Sequence, residues 1–185
     1  MRILDLMGMI YGLSELGLLI FKRAGRSTRD ADRQSLVWLW PGIGSCVFAG
    51  ITVAYSAPRL QSPLLLHWHV LGIGLFALGL ALRWYAILYL GRFFTVNVAI
   101  ATDHRVIDSG PYRWVRHPSY SGALLAFVGY GIALGNWISL ALVTLPIAGM
   151  FLRRIAIEEA ALTSALGEAY IGYAARTRRL IPGIW

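Results

Sequence analysis

Residues 118–152 run for 35 positions without one Asp, Glu, Lys or Arg. Drawn out as a single helix they would measure about 52 Å, well beyond the hydrocarbon thickness of a bilayer. The segment therefore has to fold back. The string Leu134-Gly135-Asn136-Trp137 supplies the turn, because Gly and Asn tolerate the left-handed backbone that ends a helix. Each arm is then about 17 residues, near the lower limit for a membrane span. The run predicts a tight hairpin of two short helices.

The rest of the chain has the same character. Of 185 residues, 57% are hydrophobic and 14% charged, against about 25% charged in ordinary soluble domains, and the mean hydropathy is +0.61. That leaves too little polar surface to wrap a soluble core, and disorder requires low hydrophobicity. Three more segments have the roughly 20 apolar residues of a span: 3–21, 36–57 and 63–90. The expected fold is all-α: a polytopic integral membrane protein with five transmembrane helices, the last two forming the hairpin, and cytoplasmic C-terminal helices. A signal peptide is not expected, because Glu15 interrupts the first apolar run and Lys22-Arg23-Ala24-Gly25-Arg26 is a poor cleavage site. The lone cysteine, Cys46, lies in an apolar run and cannot form an internal disulfide.

The 17 Lys and Arg against 9 Asp and Glu give a net charge of +8. Five spans place the termini on opposite sides, and the cations say which side is which. Lys22, Arg23, Arg26, Arg29 and Arg33 follow the first span; Arg92, Arg105, Arg113 and Arg116 follow the third; Arg153, Arg154, Arg176, Arg178 and Arg179 occupy the tail. Against these, only Arg2 and Arg59 fall on the opposite face. The N-terminus is thus expected outside, with the C-terminus and residues 91–117 cytoplasmic. Topology and lipid headgroups account for this charge, and no basic stripe interleaved with exposed aromatics points to nucleic acid.

A few polar residues are left over. Glu15 and Arg83 lie at similar depth below the cytoplasmic ends of their spans, where a charge is costly unless paired; they are expected to pair or to share one polar cavity. Residues 91–117 form a connection long for so small a protein, and long ordered loops are more often functional. His104, Arg116, His117, Tyr112 and Tyr120 converge there on the mouth of the hairpin, with Pro118 suited to a first helical turn. No cysteine joins the histidines and no metal-ligand pattern emerges. His67 and His69 read as interfacial residues. Past the hairpin, Arg154 and Glu158 share one face of a continuing helix. Leu162, Ala165, Leu166 and Tyr170 repeat at helical spacing, with Gly167 as a break, which predicts a helix along the membrane surface.

The string Gly110-Pro111-Tyr112-Arg113-Trp114-Val115-Arg116-His117-Pro118-Ser119-Tyr120-Ser121-Gly122 resembles the central motif of the isoprenylcysteine carboxyl methyltransferases and their phospholipid methyltransferase relatives. Leu90-Gly91-Arg92-Phe93-Phe94-Thr95, His104-Arg105-Val106-Ile107, Arg154, Glu158-Glu159, Gly167-Glu168-Ala169-Tyr170 and Leu180-Ile181-Pro182-Gly183-Ile184-Trp185 are similar to the flanking family pattern. The resemblance covers about residues 80–185, while the first two spans carry no matching motif. It implies a methyltransferase core over residues 63–185, preceded by a two-span segment over residues 1–62. It also implies the methyl donor S-adenosylmethionine, released as S-adenosylhomocysteine. No strand leads into a glycine-rich helix start, so a Rossmann unit is absent; Gly42, Gly44, Gly72 and Gly74 read instead as sites of close helix packing.

By this resemblance His104, Val106, Gly110, Tyr112, Arg116, His117, Tyr120, Glu158 and Glu159 would bind the cofactor, with aromatic faces favouring its cation. Arg154 would hold an acceptor carboxylate by a two-pronged contact, and Glu158 would manage a proton for an amine acceptor; these two are the catalytic candidates. Trp84, Tyr85, Phe127 and Tyr130 are candidates for a groove that admits the tail of a lipophilic or prenylated acceptor sideways from the bilayer. Carboxyl O-methylation of an isoprenylcysteine-like acceptor leads, phospholipid N-methylation is the rival, and a small transporter or anchoring subunit is a remote third.

Overall fold

The computed structural model describes residues 3–21, 33–94 and 105–185. Within them the chain is helical, without a β-sheet: α1 Ile3–Phe21, α2 Arg33–Ser56, α3 Pro63–His67, α4 His69–Leu90, α5 Pro118–Ala133, α6 Trp137–Leu166 and α7 Glu168–Arg176. Among the described residues α1, α2, α4 and α6 are long and apolar enough to cross a membrane. The 16-residue α5 is shorter.

Three expected boundaries move. The stretch 63–90 is not one helix, because the backbone breaks at Trp68 between α3 and α4. His67 and His69 are therefore on different helices: His67 is exposed, and His69 Nδ1 lies 2.9 Å from the Ala133 carbonyl at the end of α5. The helix begun at Trp137 does not stop near residue 152 but runs on to Leu166, carrying Arg154, Glu158 and Glu159 out of the apolar part on one rigid rod. Leu162, Ala165 and Leu166 belong to that rod, whereas Tyr170 lies on α7. Gly167, at φ 54°, is the break the sequence marks, but it ends the long α6 and does not interrupt a surface helix.

The turn between α5 and α6 follows from local chemistry. Gly135 adopts φ 73°, and Asn136 caps α6, its Oδ1 accepting from the amides of Ile138 at 2.9 Å and Ser139 at 3.2 Å. The Ser62 amide donates to the Gly135 carbonyl at 2.8 Å, tying the α2–α3 connection to this turn. α4 packs most extensively on α5, and α2 and α5 both pack on α6. Phe76, Phe127, Tyr130, Val143, Ile147 and Phe151 form the centre of the core.

Candidate active site

The N-terminal end of α5, the far end of α6, α7 and the C-terminal strap 177–180 meet at one end of the bundle. The strap is laced to the loop before α5 by backbone bonds, Arg116 amide to Arg178 carbonyl at 2.7 Å and His117 amide to Arg179 carbonyl at 3.1 Å. The Ser121 hydroxyl adds a bond to the Leu180 carbonyl at 2.6 Å. Below, the Tyr173 hydroxyl donates to the Tyr112 carbonyl at 2.8 Å and the Thr177 hydroxyl to the Tyr173 carbonyl at 2.8 Å.

Glu159 is the electrostatic knot of this end. Its Oε1 accepts from Arg116 Nε at 2.7 Å and lies 3.2 Å from His117 Nε2, and its Oε2 accepts from Arg179 at 3.0 Å. Arg116 then spends Nη1 on the carbonyls of Ala174 and Thr177, at 2.9 and 2.6 Å. A carboxylate served by so many charge-assisted donors is a fastener. It joins α6, the α5 entrance and the strap.

Glu158, one residue earlier, faces elsewhere. Its Oε2 accepts from the Tyr120 hydroxyl at 3.3 Å, and that same oxygen of Tyr120 accepts from Arg154 Nε at 2.9 Å. Arg154 is buried, at 4% exposure. Tyr112 joins the group from the loop: its hydroxyl donates to the Ala86 carbonyl at 3.2 Å. Burial first, and then the negative charge of Glu158, hold that hydroxyl well above the usual tyrosine range. Tyr112 therefore stays a neutral phenol.

Below this group lies an apolar cavity of about 370 Å³ between α1, α2, α4 and α5, lined among others by Tyr11, Gly12, Gly44, Phe76, Phe127 and Tyr130. Glu15 also lines it. Glu15 and Arg83 do pair: Arg83 Nε and Nη2 reach the two carboxylate oxygens at 2.6 and 2.7 Å. A run of rings leads from the cavity to the polar group, Tyr11 to Phe127 at 4.8 Å, Phe127 to Phe151 at 6.4 Å and Phe151 to Tyr120 at 5.1 Å between centroids.

The residues singled out from the sequence thus divide. Tyr112, Tyr120, Arg154 and Glu158 come together, while Arg116, His117 and Glu159 form the fastener beside them. Val106 is half-buried in the loop, and Gly110, at φ 56°, has the Tyr89 ring packed where a Cβ would stand. His104 lies outside the described residues. Phe127 and Tyr130 line the cavity, but Trp84 and Tyr85 do not: Trp84 Nε1 donates to Ser14 Oγ at 2.7 Å, and Tyr85 is 54% exposed on the outer face. Adjacent helix positions point about 100° apart, so a cluster of aromatics in the sequence need not share one groove. Sequence reading missed Tyr11, Ser121, Tyr173, Thr177 and Arg179. The quoted loop motif already contained Ser121, and helical spacing from Tyr170 could have flagged Tyr173.

Comparison with known proteins bears on the family and the fold. The model of the isoprenylcysteine carboxyl methyltransferase family matches residues 71–164. The chain is 37% identical over 120 residues to protein-S-isoprenylcysteine O-methyltransferase B of Arabidopsis thaliana, covering 63% of this chain and 61% of that protein. It is 33% identical over 138 residues to a probable protein-S-isoprenylcysteine O-methyltransferase of Oryza sativa, covering 72% and 70%. A solved eukaryotic intramembrane Ras methyltransferase superposes with a TM-score of 0.62 at 32% identity, covering 81% of this chain and 51% of that one. The chain thus spans about half to 70% of the length of these proteins.

Proposed function

The chain belongs to the isoprenylcysteine carboxyl methyltransferase family, and from that premise we propose that it methylates the carboxylate of a lipophilic, isoprenylcysteine-like acceptor, with S-adenosylmethionine as donor. The observation that carries this reading is the contact of Arg154, Tyr120 and Glu158, joined through the rings of Phe151 and Phe127 to an apolar cavity within the helix bundle.

The residues present fit the cofactor's charge pattern. A sulfonium and an ammonium call for a carboxylate and aromatic faces, and Glu158, whose contact among the described residues is a phenol at 3.3 Å, stands beside the rings of Tyr112 and Tyr120. Glu159 is committed to Arg116, Arg179 and the ring of His117, so its part, with Arg116 and His117, is to hold the pocket wall. When bound, the cofactor supplies a methyl group activated for displacement. The protein's own work is to place and desolvate the nucleophile. Arg154 fixes the acceptor carboxylate through its guanidinium, Tyr120 orients Arg154 through its phenolic oxygen, and the buried surroundings strip the hydration that makes a carboxylate a weak nucleophile. A carboxylate attacks without losing a proton, and a neutral Tyr112 adds no competing anion.

The acceptor's tail enters the cavity past Phe127 and Tyr130. α5 completes a fifth span despite its 16 residues, because its glycine and alanine face lies against α4 and not lipid. The charged end, with Arg116, Arg154, Arg176 and Arg179, faces the cytoplasm.

The test is incubation of the purified chain in detergent with methyl-labelled S-adenosylmethionine and a panel of lipid acceptors. Label is expected on an isoprenylcysteine acceptor and to be released as methanol by alkali. Alkali-stable label on an amine lipid would replace this reading by N-methylation. Arg154→Ala in the same assay is expected to lose at least 100-fold in turnover, the scale of an electrostatic contact made at the reacting group, while cofactor affinity stays within about threefold.

A further inference from the structure

Two buried charges inside the spanning helices have no part in the reaction as derived so far. Glu15 on α1 and Arg83 on α4 are 3% and 8% exposed, and both lie in helices apolar enough to cross a membrane. An ionisable residue persists there only when paired or put to use. The pairing is two-pronged, through Arg83 Nε and Nη2. The remaining nitrogen, Nη1, goes to a different helix: it donates to the Ser119 carbonyl at 3.3 Å.

That carbonyl belongs to the first turn of α5, immediately before Tyr120. The α4 and α5 backbones also touch at this level, since a Cβ on Gly122 would lie 2.5 Å from the Arg83 amide nitrogen. The first turn of α5 is thus held from two sides: by the strap, through Ser121 to the Leu180 carbonyl, and from within the bundle by Arg83. Tyr120 projects from this turn onto Arg154 and Glu158. Glu15, in turn, lines the cavity.

We propose that Glu15 and Arg83 are positioning residues for methyl transfer: the ion pair fixes the first turn of α5 and so sets Tyr120 against Arg154 and Glu158, joining the wall of the acceptor cavity to the reacting group. The role rests on the activity proposed above. It differs from merely tying α1 to α4, because a second side-chain bond links the same two helices, Trp84 Nε1 to Ser14 Oγ at 2.7 Å, and does not touch α5.

Three variants of the chain in detergent decide it: Glu15→Gln, Arg83→Lys and, as the control for helix tying, Ser14→Ala. Arg83→Lys keeps the ionic attraction to Glu15 but has no fork to serve Glu15 and Ser119 together, so it carries the test even where Glu15→Gln does not accumulate as folded protein. Each is read by kcat and acceptor KM, by S-adenosylmethionine affinity, and by amide exchange along α5. In Glu15→Gln and Arg83→Lys, kcat is expected to fall at least tenfold with cofactor affinity within twofold. The Tyr120 and Ser121 amides, bonded to the His117 carbonyl at 3.0 Å, are expected to exchange at least tenfold faster. Ser14→Ala should change neither. Unchanged exchange at Tyr120 and Ser121, or an equal loss in Ser14→Ala, overturns the proposal. A wild-type chain that transfers no methyl group defeats the proposed activity instead, and the exchange comparison still decides the positioning.

Discussion

Along the α4–α5 seam glycine lets two backbones touch. A Cβ on Gly122 would stand 2.5 Å from the Arg83 nitrogen, and one on Gly129 would stand 2.5 Å from the Gly72 carbonyl oxygen. Across the bundle, Gly12 on α1 and Gly44 on α2 have nothing within 4 Å of a Cβ position, and both line the cavity. One residue type serves opposite ends: at the seam the missing side chain is replaced by a neighbouring helix, and at the cavity it is replaced by space. Small residues between membrane helices drive association by close van der Waals approach, whereas a void in a core costs stability. A cavity kept open by two glycines is therefore understandable as a site awaiting an apolar group.

Substitutions can break this contrast or sharpen it. Gly122→Val should have the largest effect, forcing α4 and α5 apart and destabilising the fold by about 3 kcal/mol, seen as a lowered thermal midpoint in detergent and lost activity. A midpoint equal to wild type would mean that the seam adapts. Gly44→Leu should leave the midpoint nearly unchanged and fill the cavity, raising the acceptor KM about tenfold, the scale of a few methylenes excluded from an apolar pocket, with cofactor affinity intact. An unchanged KM would take the tail out of this cavity. Smallest is Gly74→Ala: Gly74 also has nothing within 4 Å of a Cβ but lies outside the cavity lining. It should stabilise α4 by at most about 1 kcal/mol and leave both kinetic constants alone.

A second contrast sits on α6, where Glu158 and Glu159 are neighbours in the chain and belong to different environments. Glu159 meets Arg116, His117 and Arg179; Glu158 meets Tyr120. The motif in the sequence presents the pair as one feature. The helix turns them about 100° apart, and only the placement of the strap tells which acid is the fastener and which is left to Tyr120.

Much of the helical layout was legible from apolar length alone. The first helix falls at Ile3–Phe21 as read, and the turn after Leu134 follows from Gly and Asn chemistry. The break at Trp68 was not legible, because Trp and His are compatible with a helix and nothing in the run 63–90 marks a stop. The extension of α6 through Arg153 and Arg154 was foreshadowed only by the four-residue spacing to Glu158. In the site, the loop motif pointed to Tyr112, His117 and Tyr120, whereas Arg179 and Thr177 carried no local signal: their role depends on a tail that returns to a loop some sixty residues earlier, as in the bond from Arg116 to the Thr177 carbonyl.

Low charge content and long apolar runs are enough to make this chain a helical membrane protein, because they admit no other way to satisfy the backbone. The sequence by itself also carried the family motif. The tertiary structure decided which charges meet. Glu15 and Arg83 are 68 positions apart and Arg116 and Glu159 are 43 apart, and no periodicity reaches so far. Those distances close only when α4 and α5 come into backbone contact and the strap lies down beside them, and it is this packing that separates Glu159, bonded to Arg116 and Arg179, from Glu158, which meets Tyr120.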